Sequence, residues 1–421
     1  VNLICSECGN AAAADALFCV ACGGLLAFEL TTPAIDAAGL RALLRTRRLS
    51  DDHRDRSGVW RYRELLPPLD PERIVTLREN DIPLYPACLG GSYAGIDRLT
   101  YVHLGMNPTG SFKDAGMTVA LTHAAQSGAR IAVCASTGNT AASMAAYAAR
   151  AGVHAVVLVP ATGISESKVA QTLDYGATVL AIDGDFDAAL ATVRSLDPTR
   201  VAIVNSVNPY RIEGQKTAAF VFLEQRGWRV PDWFVLPGGN LGNTSAFGKG
   251  FREALQLGLI DRLPRMAVIQ ASGAAPFAAL WRDGGDMVPV HAQTTATAIK
   301  IGAPASWRKA LREVRATNGT VTAVDDEAIA DARATIGRDG IGCEPASAAS
   351  LAGAKALVEA GVIGRSDDVA LVLTGHVLKD TAYAAQYHGS AAAFANAIVR
   401  TRDHADLLER IDQLASARAA G

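Results

Sequence analysis

The feature that most restricts the fold is an alternation of short apolar runs with amphipathic stretches. From residue 130 the chain reads "RIAVCA", then helix-like "TAASMAAYAARAG" ending on Gly152, "HAVVLVP", helix-like "SESKVAQTLDYG", "ATVLAID", helix-like "DFDAALATVRSL" and "VAIVN". The rhythm resumes with "WFVLPGG", "PRMAVIQ" and "DVALVLTGH". Strands joined through helices return to the same edge of the sheet, so such a chain builds βαβ units and a parallel-rich α/β fold. Ligands of open parallel sheets gather outside the carboxyl ends of the strands. The loops that follow strands are therefore where chemistry is expected.

Four of these loops stand out. After "LTYVHLGM" comes "NPTGSFKDAG", in which Pro108 and Gly110 make a turn and Ser111 can cap a helix that begins near Lys113. A lysine amine in a helix's first turn feels the positive end of the dipole, which favours its neutral form. A neutral amine is what Schiff-base chemistry requires. After "RIAVC" comes "ASTGNTAAS", where Ser136, Thr137 and Asn139 offer hydroxyl and amide groups and Gly138 admits a ligand close to the backbone. The N–H groups at the start of the next helix suit a carboxylate, although ordinary N-capping accounts for the same residues. After "WFVL" comes "PGGNLGNTSA", a glycine-rich nest for an anion that is neither a Walker loop nor the dinucleotide fingerprint. After "DVALV" comes "LTGHVLKD", which sets a neutral Thr374 hydroxyl at a strand end; His376 reads equally well as a catalytic group or a satisfied loop histidine. Together these loops supply an amine, N–H donors for a phosphate and partners for a ring oxygen and a ring nitrogen. Pyridoxal 5'-phosphate needs those parts.

The composition agrees with a folded enzyme. Among 421 residues, 49% are hydrophobic and 19% charged, enough for a large core divided over two or more subdomains. A net charge of -2 gives no footprint for nucleic acid or an anionic membrane. No apolar run is long enough to span a bilayer, and "VNLICSECGN" lacks the basic-then-apolar pattern of a signal peptide, so a cytoplasmic protein is expected. The polar stretch "RTRRLSDDHRDRSG" reads as a solvated helix or loop, and "HADLLERIDQLASARAAG" as an amphipathic terminal helix.

Four of the seven cysteines lie at the start: Cys5, Cys8, Cys19 and Cys22, as C-x2-C-x10-C-x2-C. Two such knuckles can provide four thiolates for a structural zinc, with no open position left for catalysis. The other reading is a knuckle that packs without metal.

The segments "NPTGSFKDAGM", "CASTGNTAAS", "NSVNPYRIEGQKT", "LPGGNLGNTSAF", "GCEPASAAS" and "LTGHVLKD", in this order, resemble the threonine synthases, fold-type II pyridoxal-phosphate enzymes of the tryptophan synthase β-like fold. The likeness runs from about residue 57 to residue 380, and the knuckles followed by "GGLL" resemble the cysteine ribbon of many members. The resemblance implies that Lys113 carries the cofactor as a Schiff base and later moves protons at Cα and Cβ, with Phe112 packed beside it. It implies that Asn139 bonds the ring oxygen and that Ser136, Thr137, Gly138 and Thr140 take the substrate carboxylate. Gly238, Gly239, Asn240, Leu241, Gly242 and Asn243 would cradle the cofactor phosphate, and Thr374 would face the ring nitrogen and leave it largely unprotonated. Ser206 and Arg211 would bind the substrate phosphate, assisted by Asn240; an arginine fork pairs two phosphate oxygens. One departure is Ala115, where many members have a basic residue ("KDRGM").

The implied reaction converts O-phospho-L-homoserine and water to L-threonine and phosphate by γ-elimination and β-addition of water. Alternatives are a cysteate synthase-like β-replacement on O-phosphoserine, a specialised-metabolism or inhibitor-insensitive paralogue, and a non-catalytic scaffold. The expected organisation is a ribbon over 1–27, a large domain over 28–106 and 207–400, a smaller mobile α/β domain over 107–206, and a C-terminal helix over 401–421. A homodimer is expected by family analogy.

Overall fold

The computed structural model describes residues 2–30, 32–161, 166–183, 192–193, 195–197, 200–396 and 398–419. The chain divides into two compact units, residues 1–380 and 381–421. The second unit holds the helices Thr381–His388 and His404–Ala419. The first holds three sheets among the described residues.

Leu3–Cys5 (β1), Ala11–Ala12 (β2) and Leu26–Phe28 (β3) form a small antiparallel sheet in the order β2-β1-β3. It brings the two cysteine knuckles together. Leu84–Pro86 (β4) and Arg98–His103 (β5) then open the largest sheet as an antiparallel pair.

The alternating region from residue 131 builds the four-stranded parallel sheet. Its strands are Ile131–Ala135 (β6), His154–Pro160 (β7), Thr178–Ile182 (β8) and Ala202–Ile203 (β9), in the order β8-β7-β6-β9. The crossovers include the helices Asn139–Ala151, closed by Gly152 at φ +68°, and Glu166–Asp174. Gly152 caps its helix in the left-handed region to release the chain into β7, and Gly176, at φ +78°, lies in the same region between helix Glu166–Asp174 and β8. The helix expected over "DFDAALATVRSL" falls largely outside the described residues.

The six-stranded sheet is completed by Trp233–Pro237 (β10), Arg265–Ala271 (β11), Thr320–Val324 (β12) and Asp368–Leu373 (β13), in the order β12-β11-β10-β13-β5-β4. All of its neighbouring pairs except β4–β5 are parallel. Strand β10 is buried along its whole length, which is why its sequence is continuously apolar and not alternating. On one face Phe234 meets Phe247 at 4.7 Å, Phe251 at 4.9 Å and Phe222 at 5.2 Å between ring centroids. On the other lies the small-residue helix Pro345–Glu359, where a Cβ on Gly353 would come within 2.4 Å of Ile269.

The stretch "RTRRLSDDHRDRSG" is solvated only in part: Arg45, Arg48, Asp51, His53 and Arg56 are exposed, as its charge predicts, but not all of its polar residues are. Arg47, Asp55 and Ser57 are buried, and Arg47 pairs with Glu64 while Arg63 reaches Asp55 at 2.7 Å. Each buried charge is matched by an opposite one, which is the condition for keeping it inside.

Two helices cross at a distance that only glycines allow. A Cβ on Gly214, in helix Pro209–Gln225, would stand 1.9 Å from the Ala115 carbonyl oxygen; one on Gly116, in helix Lys113–Gln126, would stand 2.8 Å from that of Arg211. In an open helix position Gly→Ala stabilises by about 0.5–1 kcal/mol. Here Gly214→Ala is expected to destabilise by about 1–3 kcal/mol, the range for overpacked interiors, read as a lower urea midpoint at unchanged slope. A raised midpoint would mean that the crossing has room.

Candidate active site

Strands β5, β13 and β10 are neighbours in the large sheet, and their carboxyl ends release the loops that carry Lys113, Thr374 and Gly239. In the smaller sheet β6 and β9 are neighbours, and they release Ser136–Thr140 and Ser206–Arg211. These loops surround one cavity of about 860 Å³. Lys113, Phe112, Ser136, Thr137, Gly138, Asn139, Thr140, Ser206, Arg211, Gly239, Asn240, Leu241, Gly242, Asn243 and Thr374 all line it. Gly238 does not. Its N–H donates to the Ile269 carbonyl at 2.7 Å and its α-carbon backs onto Val268, so the sheet consumes this glycine and the cavity lining starts at Gly239.

Lys113 opens its helix, with its backbone N–H 3.4 Å from the Ser111 hydroxyl oxygen and its amine 3.9 Å from the centre of the Phe112 ring. Burial, together with the positive charge of Arg211, lowers the amine pKa to about 7, against the pull of Glu344. Asp114, next in the chain, faces away from the cavity. It accepts from the Thr109 N–H at 2.7 Å, the Thr109 hydroxyl at 2.6 Å and the Ser143 hydroxyl at 2.6 Å, so it fixes the turn before Lys113 and joins it to helix Asn139–Ala151.

Arg211 is buried, and its Nη1 donates to the Val204 carbonyl at 3.2 Å. No ion pair of Arg211 is found among the described residues, and its Nε has no partner. Burial lowers its pKa to about 10, so it stays charged at neutral pH. Asn240 donates to the Ser206 hydroxyl at 2.6 Å and accepts from the Ala305 N–H at 2.5 Å, which ties the glycine turn to the Ser206 loop. Leu241, at φ +63°, is a non-glycine in the left-handed region; it swings the chain so that helix Gly242–Gln256 starts with its first N–H groups free of intrahelical acceptors.

Among the cavity residues that the sequence reading overlooked are Glu344, Lys379 and Gln171. Glu344 is buried; it accepts from the Asn139 side-chain amide at 2.9 Å and from the Thr374 hydroxyl at 3.1 Å. Burial raises its pKa despite these donors and the Lys113 and Lys379 cations. Lys379 donates to Gln171 at 2.6 Å, linking the turn after β13 to helix Glu166–Asp174. An isolated acid before a proline in the small-residue run "GCEPASAAS" was the available signal for Glu344; nothing local marked the other two. His376 lines the cavity and its Nδ1 accepts from the Leu378 N–H at 3.2 Å, as a satisfied loop histidine would.

The cavity fits pyridoxal 5'-phosphate on its own chemistry. Arg211, Gln215 and Asn243 line the cavity and each carries a buried polar atom without a partner, Nε, Oε1 and Nδ2, so this wall has hydrogen-bonding capacity left for a polar occupant. A helix N-terminus in a glycine turn suits a phosphate, and an amine of lowered pKa suits an aldehyde. Fold and site thus define the class, and a family described as pyridoxal-phosphate dependent enzyme matches residues 75–375. The chain is 44% identical over 387 residues to a threonine synthase of Methanosarcina acetivorans, covering 90% of this chain and 92% of that one. It is 43% identical over 381 residues to one from Methanocaldococcus jannaschii, covering 89% and 92%. The threonine synthase structure of Escherichia coli aligns with a TM-score of 0.70 at 20% identity, over 98% of this chain and 95% of that one, and a threonine deaminase of Solanum lycopersicum with 0.63 at 17%, over 87% and 96%. The chain belongs to the threonine synthase family.

The lowered lysine pKa has a direct consequence. In the cofactor-free chain, capture of an aldehyde at Lys113, followed by mass spectrometry, should speed up as pH rises through about 7 and level off above it. A midpoint near the ordinary lysine value would show that the amine is solvated.

Proposed function

We propose that the chain works as a threonine synthase on O-phospho-L-homoserine, with its cavity residues dividing the task as follows. Bound pyridoxal 5'-phosphate supplies an electron sink that makes the α- and β-hydrogens of its amino-acid partner acidic. Lys113 holds the cofactor through its amine and, once freed, accepts and returns protons at Cα and Cβ; a pKa of about 7 serves both directions near neutral pH. The N–H groups of Gly239–Asn243 hold the cofactor phosphate, Phe112 packs beside the ring, Asn139 orients its oxygen and Thr374 faces its nitrogen. Ser136, Thr137, Gly138 and Thr140 take the substrate carboxylate. Arg211 and Ser206, with Asn240, take the substrate phosphate and keep it in place after it leaves Cγ.

One observation carries this reading: an amine near neutrality shares its cavity with a buried guanidinium that has no carboxylate partner. A guanidinium kept charged and unpaired awaits an anion, and a phosphate answers its fork. The domain bearing β6–β9 is proposed to close over substrate and exclude water other than the reactive one. A cytoplasmic homodimer belongs to the same proposal. No helix among the described residues is long and apolar enough to cross a membrane.

The test is release of inorganic phosphate from O-phospho-L-homoserine with L-threonine as the amino-acid product; O-phosphoserine with a sulfur nucleophile is the control. Phosphate released only in the control would overturn the assignment. Arg211→Ala should raise KM about 10- to 100-fold, matching the ~1.5–3 kcal/mol of a hydrogen bond to a charged group, and leave cofactor affinity nearly unchanged. Equal loss of both would displace Arg211 from the phosphate site.

The four thiols are proposed to hold a structural zinc. Their sulfurs all lie within 4.8 Å of one another, as the corners of a tetrahedron around a metal do. Lys249 donates to the Phe28 carbonyl at 2.6 Å, Lys309 to that of Leu26, and the Phe28 ring meets Tyr210 edge-on at 4.8 Å, one residue before Arg211. Removing the metal with a chelator should lower the thermal unfolding midpoint and raise KM for the phosphorylated substrate. Native protein free of zinc, with a midpoint indifferent to added zinc, would refute the metal.

A further inference from the structure

Behind the Thr374 hydroxyl lies a hydrogen-bond chain whose protons can be counted. Ser347 Oγ accepts from the Thr374 N–H at 2.8 Å and from the Gly375 N–H at 3.0 Å, which uses both of its lone pairs. Its own proton has two acceptors in reach, Thr374 Oγ1 at 3.0 Å and the Gly375 carbonyl at 3.4 Å, and the nearer one takes it. Thr374 is left with one proton and one lone pair, to be shared between Glu344 Oε1 at 3.1 Å and the cavity. The other Glu344 oxygen accepts from Asn139 Nδ2 at 2.9 Å, so the carboxyl cannot turn away. It is also pressed against the backbone: a Cβ on Gly375 would stand 2.3 Å from Glu344 Cδ, which explains the glycine after Thr374.

The count leaves two states. With Glu344 ionised, the Thr374 proton points back to the carboxylate and the hydroxyl offers the cavity a lone pair. With Glu344 protonated, its proton goes to the Thr374 oxygen, and the Thr374 proton is free to point into the cavity. We propose that Glu344 is a positioning residue which, by gaining or losing one proton, turns Thr374 between hydrogen-bond donor and acceptor toward the cofactor's ring nitrogen. This rests on the reading that Thr374 faces that nitrogen, and it gives the site what a neutral hydroxyl alone lacks, a titratable group one bond behind it.

The surroundings favour the protonated state. Burial is the largest influence on Glu344 and holds its proton above the ordinary glutamate range; Lys113 and Lys379 act against it as the facing cations, with Asn139 and Thr374 as donors. Cys343, the chain neighbour, is buried with its thiol pushed up to about 12 and stays neutral. Arg333 donates from its Nε to the Cys343 carbonyl, and His376 pairs with Cys343 through the backbone. The sign follows. At lower pH Thr374 donates to an unprotonated ring nitrogen; as pH rises and Glu344 ionises, that donor is withdrawn.

The test uses holoenzyme carrying cofactor labelled with 15N at the ring nitrogen, titrated over the pH range in which it stays folded. Wild type should show a step in which the 15N resonance moves downfield as pH rises, the direction in which a pyridine nitrogen loses a donor. Glu344→Gln, whose amide donates at every pH as the protonated acid does, should hold the low-pH position throughout and keep the unfolding midpoint. Thr374→Val should remove the step by removing the hydroxyl. No step in wild type, or a step that survives in Glu344→Gln, overturns the proposal. If Thr374→Val abolishes the step while Glu344→Gln does not, the proposal fails but Thr374 still faces the nitrogen. If Thr374→Val moves the resonance at no pH, the placement of Thr374 fails and the proposal with it.

Discussion

The site depends on the contact between helices Lys113–Gln126 and Pro209–Gln225, where Gly116 and Gly214 let backbone meet backbone. The first helix starts with Lys113, and the second carries Arg211 in its first turn. A wider crossing would separate the two cations and with them the field that keeps the amine near neutrality. Because the constraint is steric, it fixes the distance without any flexible side chain between the helices. Asp114 adds a second restraint by joining the turn before Lys113 to Ser143 on the helix after β6.

The helix that carries Arg211 is held in turn by charge. Lys216 bridges Glu213 at 2.5 Å and Glu253 at 2.8 Å, while Lys249 reaches Glu213 and, at 3.5 Å, Glu253; all four are buried. Two lysines against two glutamates leave no net charge. The shifts agree with mutual support, with Glu213 lowered and Lys216 raised by each other's charge against the cost of burial. A buried set of this kind adds little net stability over apolar packing, but losing one member strands its partner. Its use here is register: it binds helix Pro209–Gln225 to helix Gly242–Gln256, and so the Arg211 end to the glycine-turn end. A Cβ on Gly250 would stand 2.6 Å from the Lys216 carbonyl oxygen, so these helices too meet through a glycine.

Much of this was legible in the sequence because parallel strands buried on both faces must be apolar throughout. "HAVVLVP" and "WFVLP" are strands for that reason. Lys113, the Ser136–Thr140 loop and the turn from Gly239 were legible because each follows such a strand. Legibility failed where the deciding partner is remote. Arg47 and Asp55 look like surface charges until the fold supplies Glu64 and Arg63. Gly238 looks like its neighbour Gly239 until strand β11 claims its N–H through Ile269. Glu344 sits 205 residues from Asn139 and 30 from Thr374, and no local pattern announces a carboxyl that bonds both.

The same remote partners govern the electrostatics of the cavity. Burial lowers the proton affinity of Lys113 most, Arg211 lowers it further and Glu344 raises it. On the proposed reading, a substrate phosphate seated on Arg211 cancels the repulsion from its guanidinium. The amine then holds a proton more firmly when substrate is present than when the cavity is empty. Binding of the phosphate thus strengthens Lys113 as a base at the carbon it must deprotonate. The guanidinium does this through the low-dielectric interior, where a charge a few ångströms away acts more strongly than in water. On the same reading the unpaired state of Arg211 serves the chemistry, because a carboxylate placed beside it to satisfy its buried charge would have pre-empted the effect of the substrate.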